Sequence, residues 1–235
     1  MDTNSSFLGD IIKQFLEQCK GSALAFSGGL DSTLLMALSG YSLDPYTVGF
    51  SNSHDIARSR LVSEQLGFKV KEIILDDLDL NEGISVLRSI EPSIGRSEIG
   101  YELVLYYALS EIMESRLVTG QGADEIFYGY RRFIDNPGID NREHLARLFG
   151  ITLPRETRIA KHFGKELATP YLDTRIMEKF SGMPREAHIA AGTNKILLRG
   201  LAKSAGLPEE IWGFGKKAAQ YGSGIQARLK KIPGL

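Results

Sequence analysis

Apolar positions along this chain recur in two alternating rhythms. Between residues 5 and 20, Phe7, Leu8, Ile11, Ile12, Phe15 and Leu16 fall three and four apart. That spacing lays one apolar stripe along a helix, with Asn4 or Ser5 as its predicted cap. Ser22 to Phe26 is a short apolar run suited to a buried strand, and Ser32 to Leu38 is a second helix. The pattern then repeats. A strand is predicted over 45–50, a helix from the capping Ser53 to Leu66 that Gly67 ends, and a strand over 69–75. Helices over 78–90 and 98–114 lead to a fourth strand at 116–120.

Strands alternating with helices predict an α/β fold, a parallel sheet flanked by helices. After Tyr130 the strand signal stops. Helices are predicted near 140–149, 155–163, 173–181 and 194–205, separated by turns marked with Pro and Gly. The expected organisation is an α/β core over 1–134 and a helical C-terminal part of the same domain over 135–235. The stretch "DNPGIDN" (135–141) is the predicted join.

At 235 residues the chain can bury a full core, and 43% hydrophobic with 24% charged residues is ordinary for a soluble globular protein. A formal net charge of −1 gives no polyelectrolyte attraction to nucleic acid or membrane. Cys19 is the only cysteine, which excludes an intramolecular disulfide and a cysteine-built metal cage. It keeps step with Phe15 and Leu16 and is expected as a buried thiol. No basic flank precedes an apolar core at the N-terminus, and no apolar run approaches the ~20 residues that cross a bilayer. The expected compartment is the cytoplasm.

Chemistry concentrates in two loops. In "AFSGGLDST" (25–33) a strand runs through Ser27, Gly28 and Gly29 into a helix that opens with Asp31 and Ser32. Glycines let backbone approach a ligand closely, and the first N–H groups of a helix seat an anion such as phosphate. Asp31 would repel a bare anion. It fits if a divalent cation bridges it to phosphate oxygens. No lysine follows in the Walker position, so this is not a Walker loop. A tight turn with a capping Asp–Ser pair is the plain alternative. The second loop, "VTGQGADEIFYGY" (118–130), again runs a strand into glycines, Gly120 and Gly122, and then into Asp124 and Glu125. Taken alone, those acids could serve only as dipole partners of a helix start. Paired with the first loop at the sheet edge, Asp124 becomes a second carboxylate for the same ion. Towards the C-terminus, Lys195 and Arg199 lie four apart, on one predicted helical face. Lys216 and Lys217 sit between glycines, either as solvated surface or as a cover for a polyanion.

"SGGLDS" resembles the pyrophosphate-binding loop of the ATP pyrophosphatases. "TGQGADEIFYGY" (119–130), "GKELATPYLD" (164–173) and the stretch from "NKILLRG" to "GKKAAQYGSG" (194–224) resemble segments of the asparagine synthetases, in the same order. Over about residues 20–225 the chain is therefore similar to the asparagine synthetase and β-lactam synthetase superfamily. The resemblance implies an adenine nucleotide α-hydrolase-like fold of the ATP pyrophosphatase type, using ATP and Mg2+. It implies an ATP-dependent carbon–nitrogen ligase that activates a carboxylate, aspartate in the asparagine synthetases, as an acyl-adenylate and releases pyrophosphate. Ammonia or another amine would then displace AMP. Carried over by position, ATP contacts fall on Ser27, Gly28, Gly29, Asp31 and Ser32, on the backbone of Val48, and on Gly120 and Gly122. Magnesium falls on Asp31 and Asp124. Lys216, or Lys217 one position on, is the cation expected to stabilise the adenylation transition state.

The departures are equally specific. Asparagine synthetases open with a glutaminase domain whose nucleophile is a terminal cysteine. Residue 2 here is Asp2, so nitrogen is expected from free ammonia, a separate glutaminase subunit or another amine. Gln121 occupies the catalytic position held by Glu in asparagine synthetases and by Tyr in β-lactam synthetases. An amide cannot take a proton near neutral pH. Ala168 replaces a family Arg, and Thr152 falls near an expected acid; both are expected in the acceptor pocket. The expected partners are a small-molecule carboxylate and a second copy of the chain, with no membrane and no nucleic acid. Two other readings stay open. One is a nucleotide-binding subunit without ligase chemistry. The other is adenylation of a tRNA base, which the near-neutral charge and the lack of zinc-ligand cysteines argue against.

Overall fold

The computed structural model describes residues 3–213 and 218–232. The strands are β1 Ala23–Ala25, β2 Asp44–Gly49, β3 Lys71–Ile74, β4 Arg116–Val118 and β5 Glu166–Ala168. They form one parallel sheet in the order β3-β2-β1-β4-β5. β1 pairs with β2 on one side and β4 on the other, so the strand order reverses at β1. In open parallel sheets that reversal leaves a crevice at the carboxyl ends of the strands. The four strands predicted by apolar runs are present.

The fifth corrects the expectation that strands end at Tyr130. Glu166, Leu167 and Ala168 pair with Arg116, Leu117 and Val118. An Arg116–Glu166 ion pair at 3.0 Å holds the edge. Three residues with a single large apolar side chain carry no readable period; the ladder offered by β4 makes the strand.

The first helices are α1 Thr3–Glu17, α2 Leu30–Leu38, α3 His54–Leu66, α4 Leu80–Ile90 and α5 Arg96–Glu111. α1 begins at Thr3, so the predicted caps Asn4 and Ser5 lie inside its first turn, with Ser5 buried. At α3 the expected signals hold. The Ser53 hydroxyl accepts from the Ile56 N–H at 3.5 Å, and Gly67 closes the helix at φ 76°. Next come α6 Ala123–Ile126, α7 Arg131–Asp135 and α8 Arg142–Arg147. A π-helical turn, Leu148–Thr152, joins α8 to α9 Leu153–His162. The remaining helices are α10 Thr174–Phe180, α11 Ile196–Ser204, α12 Glu209–Trp212, α13 Ala219–Gly222 and α14 Ile225–Leu229.

Side chains alternate across the sheet as strand geometry requires. Leu24 and Val118 join the layer of α1, α2 and α11, where Leu8, Ile12, Leu34, Leu198 and Leu201 are buried. Leu117 and Ala23 face the other layer, built from α4, α5, α9 and α14, with Leu87, Leu103, Ile159 and Ile225. Each buried Leu, Ile or Val among them contributes about 1.5–3 kcal/mol by leaving water. Cys19 is buried in the first layer, as expected. The C-terminal segment crosses the top of the sheet: the Phe50 N–H at the end of β2 donates to the Ser223 carbonyl at 3.0 Å.

Gly67 isolates the cost of backbone conformation, because an added Cβ would meet nothing within 4 Å. Gly67→Ala is expected to cost about 1–2 kcal/mol from the left-handed conformation alone, and Gly67→Asn less. Urea unfolding should show a lowered midpoint with an unchanged slope; an Ala variant as stable as the original would refute this.

Candidate functional site

At the carboxyl end of β1 the chain turns through Ser27, Gly28 and Gly29 into α2. Gly28 takes φ +67°. The Ser32 hydroxyl accepts from the Ser27 N–H at 3.3 Å and donates to the Gly29 carbonyl at 3.4 Å, closing the loop on itself. Asp31 stands in the first turn of α2, only 3% exposed, and the Tyr171 hydroxyl donates to its backbone carbonyl at 3.0 Å. The neighbouring strand β4 runs through Thr119, Gly120, Gln121 and Gly122 into the short α6, which carries Asp124 and Glu125.

Between these loops lies a cavity of about 180 Å³. Ser27, Gly29, Asp31 and Ser32 line it from one side, Gly120, Gln121 and Asp124 from the other. It adjoins a larger cavity of about 790 Å³ with Val48 in its wall. Gly28 and Gly122 line neither and serve the turns instead. A Cβ on Gly28 would press on the Arg58 backbone, and one on Gly122, at φ +89°, would sit 2.2 Å from Leu172. Lys216 and Lys217 lie outside the described residues.

The sequence reading missed what joins the two loops. Lys195 was expected on a helix face beside Arg199. Instead it precedes α11, in the left-handed conformation at φ 54°, and is 4% exposed. Its Nζ donates to both Asp31 carboxylate oxygens at 2.8 Å and lies 2.5 Å from Asp124 Oδ1. No side chain fits at Gly129: a Cβ there would fall 2.0 Å from Asp124 Oδ1 and 2.2 Å from Lys195 Cε. The Asn194 amide donates to the Gly129 carbonyl at 2.5 Å and fixes the approach. Carboxylates from two loops thus reach one cationic atom. Such hard oxygen donors also suit a divalent cation shared with phosphate, so the residues fit the metal implied by the sequence. A backbone in the left-handed region at a lysine has no sequence signature.

Beyond Gln121 the cavity wall is acidic. The Gln121 side-chain amide donates to Glu156 Oε1 at 3.0 Å. Thr152, near which an acid was expected, lines the same cavity one helical turn before Glu156. The acid is therefore present at 156. Ala168, expected in the acceptor pocket, is instead a buried residue of β5. Glu156 faces the cavity rather than bulk solvent. Its pKa lies well above the usual carboxylate range, first through burial, then through repulsion by Glu102 and Glu125. Burial and the neighbouring Asp124 also raise Glu125, against a hydrogen bond from the Tyr130 hydroxyl at 2.5 Å. Glu102 is fully buried, with Oε1 3.4 Å from Arg155 Nη1. Burial pushes it up to about 7, opposed by Arg155. Arg155 also meets Glu98 at 3.0 Å.

A carboxyl whose folded pKa exceeds its unfolded value adds stability at low pH and loses it as pH rises through the folded value. For Glu102 the window runs from its ordinary 4.5 to about 7. Glu102→Gln, with Glu98 still paired to Arg155, should flatten the fall of stability across that window. At pH 8 the variant should exceed the original by about 1–3 kcal/mol. Chemical denaturation at several pH values reads this; unchanged pH dependence would refute it.

Comparison with known proteins adds a family. The family model described as asparagine synthase matches residues 10–150 and 142–232. The chain is similar to the asparagine synthetase (glutamine-hydrolyzing) of Gallus gallus, 29% identical over 225 residues, covering 87% of this chain and 40% of that protein. It is similar to the enzyme of the same name from Homo sapiens, 28% identical over 216 residues, covering 83% and 38%. The chain thus spans about 40% of the length of the relatives it matches. Among solved structures, an NH3-dependent NAD synthetase from Campylobacter jejuni aligns over 100% of this chain and 99% of its own. At 15% identity and a TM-score of 0.39, that likeness is too loose to argue from.

Proposed function

The chain belongs to the asparagine synthase family, and on that footing we propose that it is an ATP-dependent ligase that converts a small-molecule carboxylate to an amide. The carboxylate oxygen attacks the α-phosphorus of ATP; the bond to the β-phosphate oxygen breaks and pyrophosphate leaves. A nitrogen nucleophile then attacks the acyl carbon, AMP departs, and one proton leaves the nitrogen. The observation that carries this reading is the convergence of Asp31 and Asp124, from two glycine loops, on Lys195 Nζ.

The roles follow from chemistry. N–H groups at the start of α2, with the hydroxyl of Ser27, would donate to phosphate oxygens, while the Ser32 hydroxyl closes the loop that presents them. Asp31 and Asp124 would hold Mg2+, which when bound offsets charge on the pyrophosphate. Lys195 places a second positive charge beside the same oxygens. The backbone of Val48 and the apolar side chains Val104 and Leu105 give the larger cavity a wall suited to a base. Gln121 cannot accept the proton, but the carboxyl it holds can. Burial among other acids makes Glu156 a stronger base than an exposed carboxylate. We assign Glu156 as the proton acceptor and Gln121 as the group that orients it. Ammonia is the simplest nucleophile, whether free or released from glutamine elsewhere. Lys216 or Lys217 is proposed as a further cation for the leaving pyrophosphate, and the division at 134/135 is kept as a proposed boundary.

The test is release of pyrophosphate from ATP with amino-acid carboxylates and ammonia. Release of ADP would overturn the reading, and tight ATP binding with no pyrophosphate for any carboxylate would mark a binding subunit instead. Asp31→Asn and Asp124→Asn should each lower turnover at least a hundredfold; full activity in both would remove the metal assignment.

Glu156→Gln separates the two half-reactions. Carboxylate-dependent exchange of labelled pyrophosphate into ATP should persist within about threefold. Amide formation should fall about 10²–10⁴-fold, the range expected for loss of a general base. An equal loss in both would show that Glu156 only supports the fold.

A further inference from the structure

Arg58, in α3, lies behind the phosphate loop. It is buried, 9% exposed. Its Nε donates to the Gly28 carbonyl at 3.2 Å and its Nη2 to the Glu210 carbonyl at 2.6 Å. Burial draws its pKa below the usual guanidinium range. Desolvating a guanidinium costs free energy, and here two of its donors serve backbone carbonyls from segments 182 residues apart in the chain (210 − 28).

The contact with the loop is close. Gly28 takes φ +67°, and a Cβ there would fall 2.9 Å from the Arg58 carbonyl oxygen and 3.0 Å from its Cγ. The described peptide bonds are trans. In a planar trans peptide the C=O and the following N–H point in opposite directions. Drawing the Gly28 carbonyl toward Arg58 therefore turns the Gly29 N–H the other way, and Gly29 lines the small cavity. On the far side, Arg199 holds the next part of the same C-terminal segment. Its Nε donates to the Asn194 carbonyl at 2.8 Å and its Nη1 to the Trp212 carbonyl.

We propose that Arg58 is a positioning residue for polyphosphate recognition. Through the Gly28 carbonyl it fixes the peptide whose N–H meets a phosphate oxygen, and through Glu210 it ties α12 to that loop. Its charge adds positive potential behind the seat without touching the ligand. This rests on the reading of the cavity as an ATP site. It requires the guanidinium fork itself, because an ammonium on a shorter reach cannot serve both carbonyls.

The experiment compares the full chain with Arg58→Met and Arg58→Lys by calorimetric titration, using Mg-ATP, magnesium pyrophosphate and adenosine as probes. Circular dichroism and thermal melting verify the fold. Arg58→Met should weaken ATP and pyrophosphate at least tenfold and leave adenosine within twofold. Arg58→Lys should recover less than a third of the lost affinity, and it carries the comparison alone if the Met variant does not fold. A merely structural role would weaken adenosine by the same factor, and that outcome overturns the proposal. So does pyrophosphate binding at the original affinity in either variant. If the original chain binds neither ATP nor pyrophosphate, the proposed function falls and takes this inference with it; if it binds both and the variants match it, only this inference falls.

Discussion

Three charged groups meet in the interior of this protein, and the rest of its architecture is arranged around them. Lys195 lies between Asp31 and Asp124, with side chains 5%, 4% and 19% exposed. Charges removed from water must be paired, and removing one member of a buried pair typically costs about 3–5 kcal/mol. That constraint explains several otherwise odd local choices. Gly129 gives up its side chain so that Asp124 and the lysine stem can touch. Lys195 adopts a backbone conformation that non-glycine residues rarely take. Tyr171, fully buried, uses its hydroxyl to hold the turn carrying Asp31. The two loops come together because β1 and β4 are neighbours in the sheet, and the lysine reaches them because α11 packs across α1 and α2.

A second layer of acids lies beyond Gln121 and works under the opposite electrostatic condition. Around Lys195 the carboxylates share a cation. Glu156, Glu102 and Glu125 instead crowd one another, with Arg155 as the main opposing charge. The first arrangement sets carboxylate oxygens from two loops beside one ammonium. The second raises proton affinity on the cavity wall. Under the proposed function, these two charged clusters, on either side of the Gln121–Gly122 turn, would serve different halves of one reaction.

The loops were legible because glycines, small hydroxyls and an acid between a strand and a helix have few other uses. Their meeting was legible because alternating strands and helices imply one sheet edge. Strand β5 was not, since Glu166-Leu167-Ala168 has no rhythm of its own and depends on the ladder that β4 supplies. Lys195 read as a cation on one helical face with Arg199, since helical spacing says nothing of a residue just before the helix with its side chain turned inward. Glu156 was missed for a related reason. It follows a π-helical turn over Leu148–Thr152, which changes the phase of the helix, so spacing along 140–163 does not reveal the side chain that reaches Gln121. Such turns are frequent at functional positions, and here one carries Leu148 and Thr152 on the cavity wall.

The packing of α1 against α11 has a consequence for how the molecule comes into being. The apolar stripe of the first helix, with Leu8, Ile12 and Leu16, shares its layer with Leu197, Leu198, Leu201 and Ile211 from the far end of the chain. A growing polypeptide can set the stripe of α1 against α2, but it must emerge past residue 211 before that layer is complete. Before residue 168 emerges, the β4 edge also lacks its partner. Long sequence separation between partners slows folding and leaves oily surface open to misassociation. Shortened versions ending before α11 would leave part of the α1 and α2 layer uncovered.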